Sequence, residues 1–313
     1  MKKYISTIAL SLSAAALFIS GCGKPADTSG DAGFKYPEAS DEAMKLVFSE
    51  FADGNGGIIW KAMPVSYQND VNTIVRLAGT KIDAEVYDKV FALVGRIGTV
   101  VDKQQGFILN TSLLPAQDSA ELEKMQKGIP LVAQVIALIA NSDIATSAGL
   151  QAFEGQKFFD TTVSELAKLS AELEHLQGSD ELSLQEIRDA TITVVEQTET
   201  TATLTMTAGD DEETSDFVKV EDRWVPADMA NDWTSSVAEA ISELEAYNPE
   251  EMAAQKPQIM TAVAMLDGVL TQLESAETQE QFDQAIQGAM MPLMGIGMLF
   301  QGMGGAGGGV PAP

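Results

Sequence analysis

Residues 201–208 read Thr201-Ala202-Thr203-Leu204-Thr205-Met206-Thr207-Ala208, a strict alternation of threonine with apolar residues. A period of two places one set on each face of a strand, so this segment predicts a strand with one buried face. Upstream, Ile192 and Val194 keep the same period. Downstream, after an expected acidic turn from Gly209 to Glu213, come Phe217-Val218-Lys219-Val220 and Trp224-Val225, closed by Pro226. Short runs separated by turn residues predict an antiparallel meander of three to four strands at about 190–226, with one face packed on helices.

Outside this window the period is helical. Upstream, a helix is expected from about Phe158 to Gln177, with Val163, Leu166, Leu169, Leu173 and Leu176 as its seam. Another is expected from Asp118 to Ala140, whose second half from Ile129 is almost wholly apolar. Those twelve residues are too few to span a bilayer, so the reading is a central buried helix. A helix from Asp83 to Gln105 carries Val86, Tyr87, Val90, Phe91, Val94, Ile97 and Val101 at core-facing spacing. One from Ile58 to Ala78 is expected to kink at Pro64. The first starts near Ser40, a candidate N-cap, with Ala43, Met44, Val47, Phe48 and Phe51 on one side. Downstream, helices are expected at about Met229–Tyr247, Pro249–Ser275 and Gln279–Phe300. The fold class is mostly α (α+β), a multi-helix body over residues 41–300 with the meander inserted. Residues 22–40 are small, polar and broken by Pro25 and Pro37, which predicts a flexible tether. Residues 301–313, rich in Gly and Pro, predict a disordered tail.

The chain opens Met1-Lys2-Lys3, followed by an uncharged stretch to Gly21 rich in Ile, Leu, Ala and Phe. A positive start, an apolar run and small residues at its end make a secretory signal, expected to occupy residues 1–21. Its last residues, Ile19-Ser20-Gly21-Cys22, resemble the lipobox of bacterial lipoproteins: an aliphatic residue and two small ones before the cysteine. The resemblance covers residues 1–22. It implies cleavage before Cys22, diacylation of its thiol and acylation of the new amine, leaving a membrane anchor of palmitate-like chains. Two or more acyl chains suffice for stable anchoring. Gly23 stands where an Asp would signal inner-membrane retention in proteobacteria, so the periplasmic face of an outer membrane is expected. The stretch from Val218 to Pro226 resembles the closing hairpin of small extracytoplasmic domains, cystatin- and NTF2-like ones among them. It covers one hairpin, and no site is carried over from it.

The composition narrows the chemistry. Loss of residues 1–21 removes two lysines and no acid, leaving 17 Lys and Arg against 46 Asp and Glu. Such a balance argues against a nucleic-acid binder, which needs clustered cations on phosphate, and against a basic patch lying on anionic lipid. Cys22 is the sole cysteine and His175 the sole histidine. Disulfides, a Cys nucleophile and Cys-based zinc sites are therefore excluded, and a Ser-His triad would need His175, whose place at a helix end reads as a favourable dipole contact. Asp53-Gly54-Asn55-Gly56-Gly57 begins like a calcium loop, but Ile58 and Pro64 stand where Gly and Glu belong, so it reads as a helix-ending turn. The run Asp210-Asp211-Glu212-Glu213 reads as a solvated hairpin tip.

No catalytic residue, cofactor or metal site is assigned. From Ala285 to Pro313 no residue is charged, and Met290, Met294 and Met298 share one helical face. Thioethers pack adaptably and also bind Cu(I). The leading expectation is a lipid-anchored, extracytoplasmic, non-enzymatic protein that binds an envelope partner protein or an apolar ligand. Soft-metal binding through those methionines is the alternative, and a carboxylate-dependent hydrolase a further one, for which 46 acids single out no pair.

Overall fold

A computed structural model describes residues 34–113, 118–177, 183–209 and 211–289. The protein is mostly helical, with one four-stranded antiparallel sheet. Its described residues fall into two compact units. One takes the residues up to Ala84 together with Asn141–Pro249; the other takes Glu85–Ala140 and the residues from Glu250 onward.

The sheet belongs to the first unit. Strands β1 (Thr191–Gln197), β2 (Thr201–Ala208), β3 (Asp211–Val220) and β4 (Arg223–Pro226) pair in the order β1-β2-β3-β4. Ala202, Leu204, Met206 and Ala208 are buried on one face, as the alternation requires. Helix α1 (Ser40–Ala52) lies on that face and adds Ala43 and Met44 to a core with Leu204, Phe217 and Trp224. Ser40 does not cap it. Ala39 holds the cap position, while the buried Ser40 hydroxyl donates to Gln197 Oε1 at 2.5 Å. Residues 34–39, expected as tether, already belong to the fold: Tyr36 is 7% exposed within this core, and Phe34 packs beside it. The expected acidic turn is also shorter. Gly209, at φ +60, reverses the chain and Ala208 already pairs with Asp211, so Asp211, Glu212 and Glu213 are strand residues.

Pro64 separates two helices instead of kinking one. Helix α2 (Gly57–Ala62) ends, Met63 is extended, and α3 (Val65–Lys81) starts afresh. The residue before a proline is forced out of helical geometry. Gln68 Nε2 then donates to the Met63 carbonyl and to the Trp60 carbonyl, which also accepts from the Met63 amide. Short helices α7 (Ser147–Gln151) and α8 (Gly155–Phe158) lead into a π-helical turn at Phe159–Val163 and then α9 (Ser164–Gln177). The turn is held by Ser164, whose hydroxyl donates to the Phe159 carbonyl and accepts from the Gly56 amide. Helix α10 (Leu184–Arg188) starts with a capping box from Ser183 and Glu186. Helix α11 (Ala227–Ala246) follows β4 and stacks Trp233 on Tyr67 of α3, ring centroids 3.9 Å apart.

The second unit is helical: α4 (Ala84–Lys103), α5 (Gln105–Asn110), α6 (Ser119–Ala140), α12 (Pro249–Glu274) and α13 at 279–289. Its core joins Leu93 and Val100 to Leu270, Ala276 and Phe282. Arg96 ties α4 to α12 through Glu274 (2.8 Å), Thr271 and Asp267. Gln104 Nε2 donates to the Leu273 carbonyl at 2.8 Å, closing the end of α12.

Two expectations for this unit fail. The core face of α4 is centred on Leu93, Gly98 and Val100, while Val90 and Ile97 (43% exposed) lie outside it. Helix α6 is not a central buried helix. Ala133 is its one fully buried residue, and Val132 is 42% exposed. The reason is geometric: Gly95 and Gly98 let α6 approach α4 along a narrow seam at Ile136 and Ala140, so only a strip of its apolar half is used.

Candidate functional site

The face of the sheet opposite α1 is built by the threonines of the alternating strand. Register sets them in rows: Thr191–Thr207–Glu212, Thr193–Thr205–Thr214 and Glu196–Thr203–Asp216. Thr203 Oγ1 donates to Asp216 Oδ1 at 2.6 Å, and the Thr205 and Thr214 hydroxyls meet at 2.7 Å. Both pairs are exposed. These three rows carry three carboxylates and no Lys or Arg, a hydroxyl-rich surface of negative sign.

The two edges of the sheet differ. Along β4, Trp224 Nε1 donates to the Glu38 carbonyl at 2.9 Å and Arg223 Nε to the Lys61 carbonyl at 2.9 Å, so the segment 34–38 and α2 cover that side. Strand β1 is exposed along its length except at Ile192. An uncovered edge presents backbone donors and acceptors that can receive another strand. A bulge between Val194 and Glu196 interrupts it and leaves Val195 62% exposed. Bulges guard edges against indiscriminate pairing; the regular part, Thr191–Val194, remains available to a short strand. The sequence bears a trace of this, since Val194-Val195 breaks the alternation, but which strand stands at an edge depends on strand order, which periodicity does not contain.

The residues singled out from the sequence are not gathered here. Cys22, Met290, Met294 and Met298 lie outside the described residues. His175 is exposed in the last turn of α9. The Asp53–Gly57 loop is structural. Gly54 turns at φ +84, Asp53 pairs with Arg188, and Gly56 and Gly57 lie so close to the π-helical turn that a Cβ at either would strike Val163, Ser164 or Asp160. Among the described residues, no three His, Cys, Asp or Glu side chains converge as a metal site would require. The void between α1 and the sheet, lined by Met44, Phe48, Ile192, Leu204, Met206 and Phe217, has room for about one water-sized sphere, near 10 Å³. No helix among the described residues is long and apolar enough to cross a membrane. No protein-family model, curated protein or solved structure matches the chain.

Proposed function

We propose that this chain is a lipid-anchored extracytoplasmic lipoprotein whose body binds a partner protein of the cell envelope by strand addition at β1. The observation that carries the binding half is the uncovered β1 edge, with Val195 62% exposed beside an acidic, threonine-lined face. The anchoring half rests on Ile19-Ser20-Gly21-Cys22. Of the two ligand classes expected, a protein is favoured over an apolar small molecule, because the feature in hand is an open strand edge. The partner segment is expected to be extended and to carry Lys or Arg opposite Glu196.

The test is a crosslinking pull-down from envelope membranes with the reactive group at Thr193, comparing the parent chain with Val195→Lys and Cys22→Ala. A specific partner lost in Val195→Lys, with an unchanged circular dichroism spectrum, is the expected result. Equal recovery from both chains removes β1 as the site. Cys22→Ala is expected to leave the membrane fraction. The soft-metal reading rests on the spacing of Met290, Met294 and Met298 and is separable: Cu(I) affinity equal to that of a triple Met→Leu variant eliminates it.

A further inference from the structure

The two faces of the sheet reach the free edge of β1 differently. On the α1 side, Ile192 is paired with Met206 and Val194 with Leu204, and both β2 residues are buried. Ile192 packs beside Phe48 of α1 and lines with it the small void under that helix. Val194, at the next pair on this face, is 37% exposed, whereas Leu204 beside it is 3% exposed. The apolar surface of this face thus runs out to the edge of the sheet and ends uncovered at Val194. Further along the strand it is bounded by Gln197, paired with Ala202 on the same face, whose side chain accepts from the Ser40 hydroxyl. On the opposite face β1 shows Thr191, Thr193 and Glu196. Val194 and Glu196 reach opposite faces because the bulge inserts a residue between them: their partners on β2, Leu204 and Thr203, are adjacent.

We infer that the strand received at β1 is amphipathic, with apolar side chains on the α1 side beside Ile192 and Val194, and polar ones, a Lys or Arg among them, on the threonine side. This rests on the strand-addition reading above and gives the partner its chemistry. Cross-strand neighbours share a face and interact side chain to side chain. Whatever pairs with β1 on its free side therefore meets the same order of faces that β2 meets on the covered side. Strand β2 answers that order with Met206, Thr205, Leu204 and Thr203, alternately apolar and polar. A slip of one residue would set polar groups against Val194 and apolar ones against Thr193, so the pairing has one phase. Main-chain bonds to an edge are indifferent to sequence; the alternate side chains give such a contact its selectivity. The sign of the charge follows from Glu196, the single charged residue of β1, on a chain of net charge −27, which favours a cationic segment and repels an acidic one. The partner so defined presents an extended arm or edge strand of alternating apolar and polar residues with a net positive charge.

The experiment uses the full chain, purified in detergent, and three short fluorescent peptides. In the first, valine alternates with threonine and lysine. The second has the same composition with its valines consecutive, and the third is the first with glutamate in place of lysine. Binding is read by fluorescence polarisation. The alternating cationic peptide is expected to bind several-fold more tightly than either of the others. Val194→Thr, which keeps the branched shape but places a hydroxyl on the α1 side, is expected to narrow the gap between the first two peptides. Glu196→Gln is expected to narrow the gap between the first and the third. Equal affinity for the alternating and consecutive peptides overturns the inference, as does a gap that Val194→Thr leaves unchanged. Amide hydrogen exchange separates this failure from failure of the site itself. Equal affinities with both peptides protecting the amides of residues 191–197 reject the alternation and keep the edge. Binding that leaves those amides unprotected rejects the edge, and the inference with it.

Discussion

Tyr36 is a residue whose chemistry the fold alters strongly. Its ring is buried beneath Arg223, and its hydroxyl completes no hydrogen bond of good geometry, although the Trp224 backbone lies close enough to ease its ionisation slightly. Burial pushes its pKa up from 10.0 to about 12, against the milder pull of Arg223. The folded state then holds a proton that the unfolded chain releases, so this stability is complete below pH 10 and is lost as pH climbs toward 12. Tyr36→Phe should remove that part of the alkaline loss. Because it deletes an unsatisfied buried hydroxyl, whose desolvation costs about 1–3 kcal/mol, it should leave the neutral-pH denaturation midpoint unchanged or higher. A fall of the midpoint would mean the hydroxyl is bonded after all. Gly155 gives the opposite case: a Cβ there would meet the Trp60 ring, itself 4% exposed. Gly155→Ala is expected to cost about 1–3 kcal/mol in denaturant unfolding, as overpacked cores do. Phe34 and Tyr36 show how a residue-level signal is overlooked. Two aromatics in a small, polar segment were the mark of a docked strap, but composition averaged over residues 22–40 hid them.

At the level of elements, what is local was legible. The meander follows from alternation alone, and the ends of α11 and α12 fall within two residues of where periodicity puts them. What depends on distant partners was not legible. The core face of α4 is chosen by α12, about 170 residues away, through Arg96 and Gln104; α4 carries apolar residues on more than one side, so its periodicity alone could not select that face. The Arg96–Glu274 pair also carries a prediction. Arg96 holds the Glu274 carboxylate below its ordinary range, so the stability it adds is present above the unfolded carboxylate pKa and is lost as pH falls through the folded one. Arg96→Met should cost about 1–2 kcal/mol, scaled down for partial exposure, and should flatten the acid limb of a melting-temperature profile of the second unit. The last helix adds a further one. Ile286 packs on the Leu93–Phe282 core and Ala289 is buried. Truncation before Ile286 is therefore expected to lower the melting temperature by several degrees.

On the scale of the whole molecule, all three tryptophans, Trp60, Trp224 and Trp233, belong to the first unit. Tryptophan fluorescence thus reports that unit alone, while circular dichroism sees both. Gly155→Ala should shift the fluorescence transition, and Arg96→Met should shift part of the helical signal and leave the fluorescence transition in place. Both probes moving together in both variants would make the chain one cooperative unit. The division itself could not be read from the sequence, because each unit is assembled from separated segments: the chain leaves the first unit after Ala84, returns at Asn141 and leaves again after Pro249. That interleaving sets an order in time. As the chain is synthesised, the segment up to Ala84 must wait for the sheet, and the segment from Glu85 to Ala140 must wait for α12. The first core lacks Leu204, Phe217 and Trp224 until the sheet has been made, and the second lacks Leu270, Ala276 and Phe282 until α12 and α13 have been made, so neither closes from its N-terminal segment alone. For most of its synthesis the polypeptide is a thread without a finished core, the form that can pass end-first through a narrow channel.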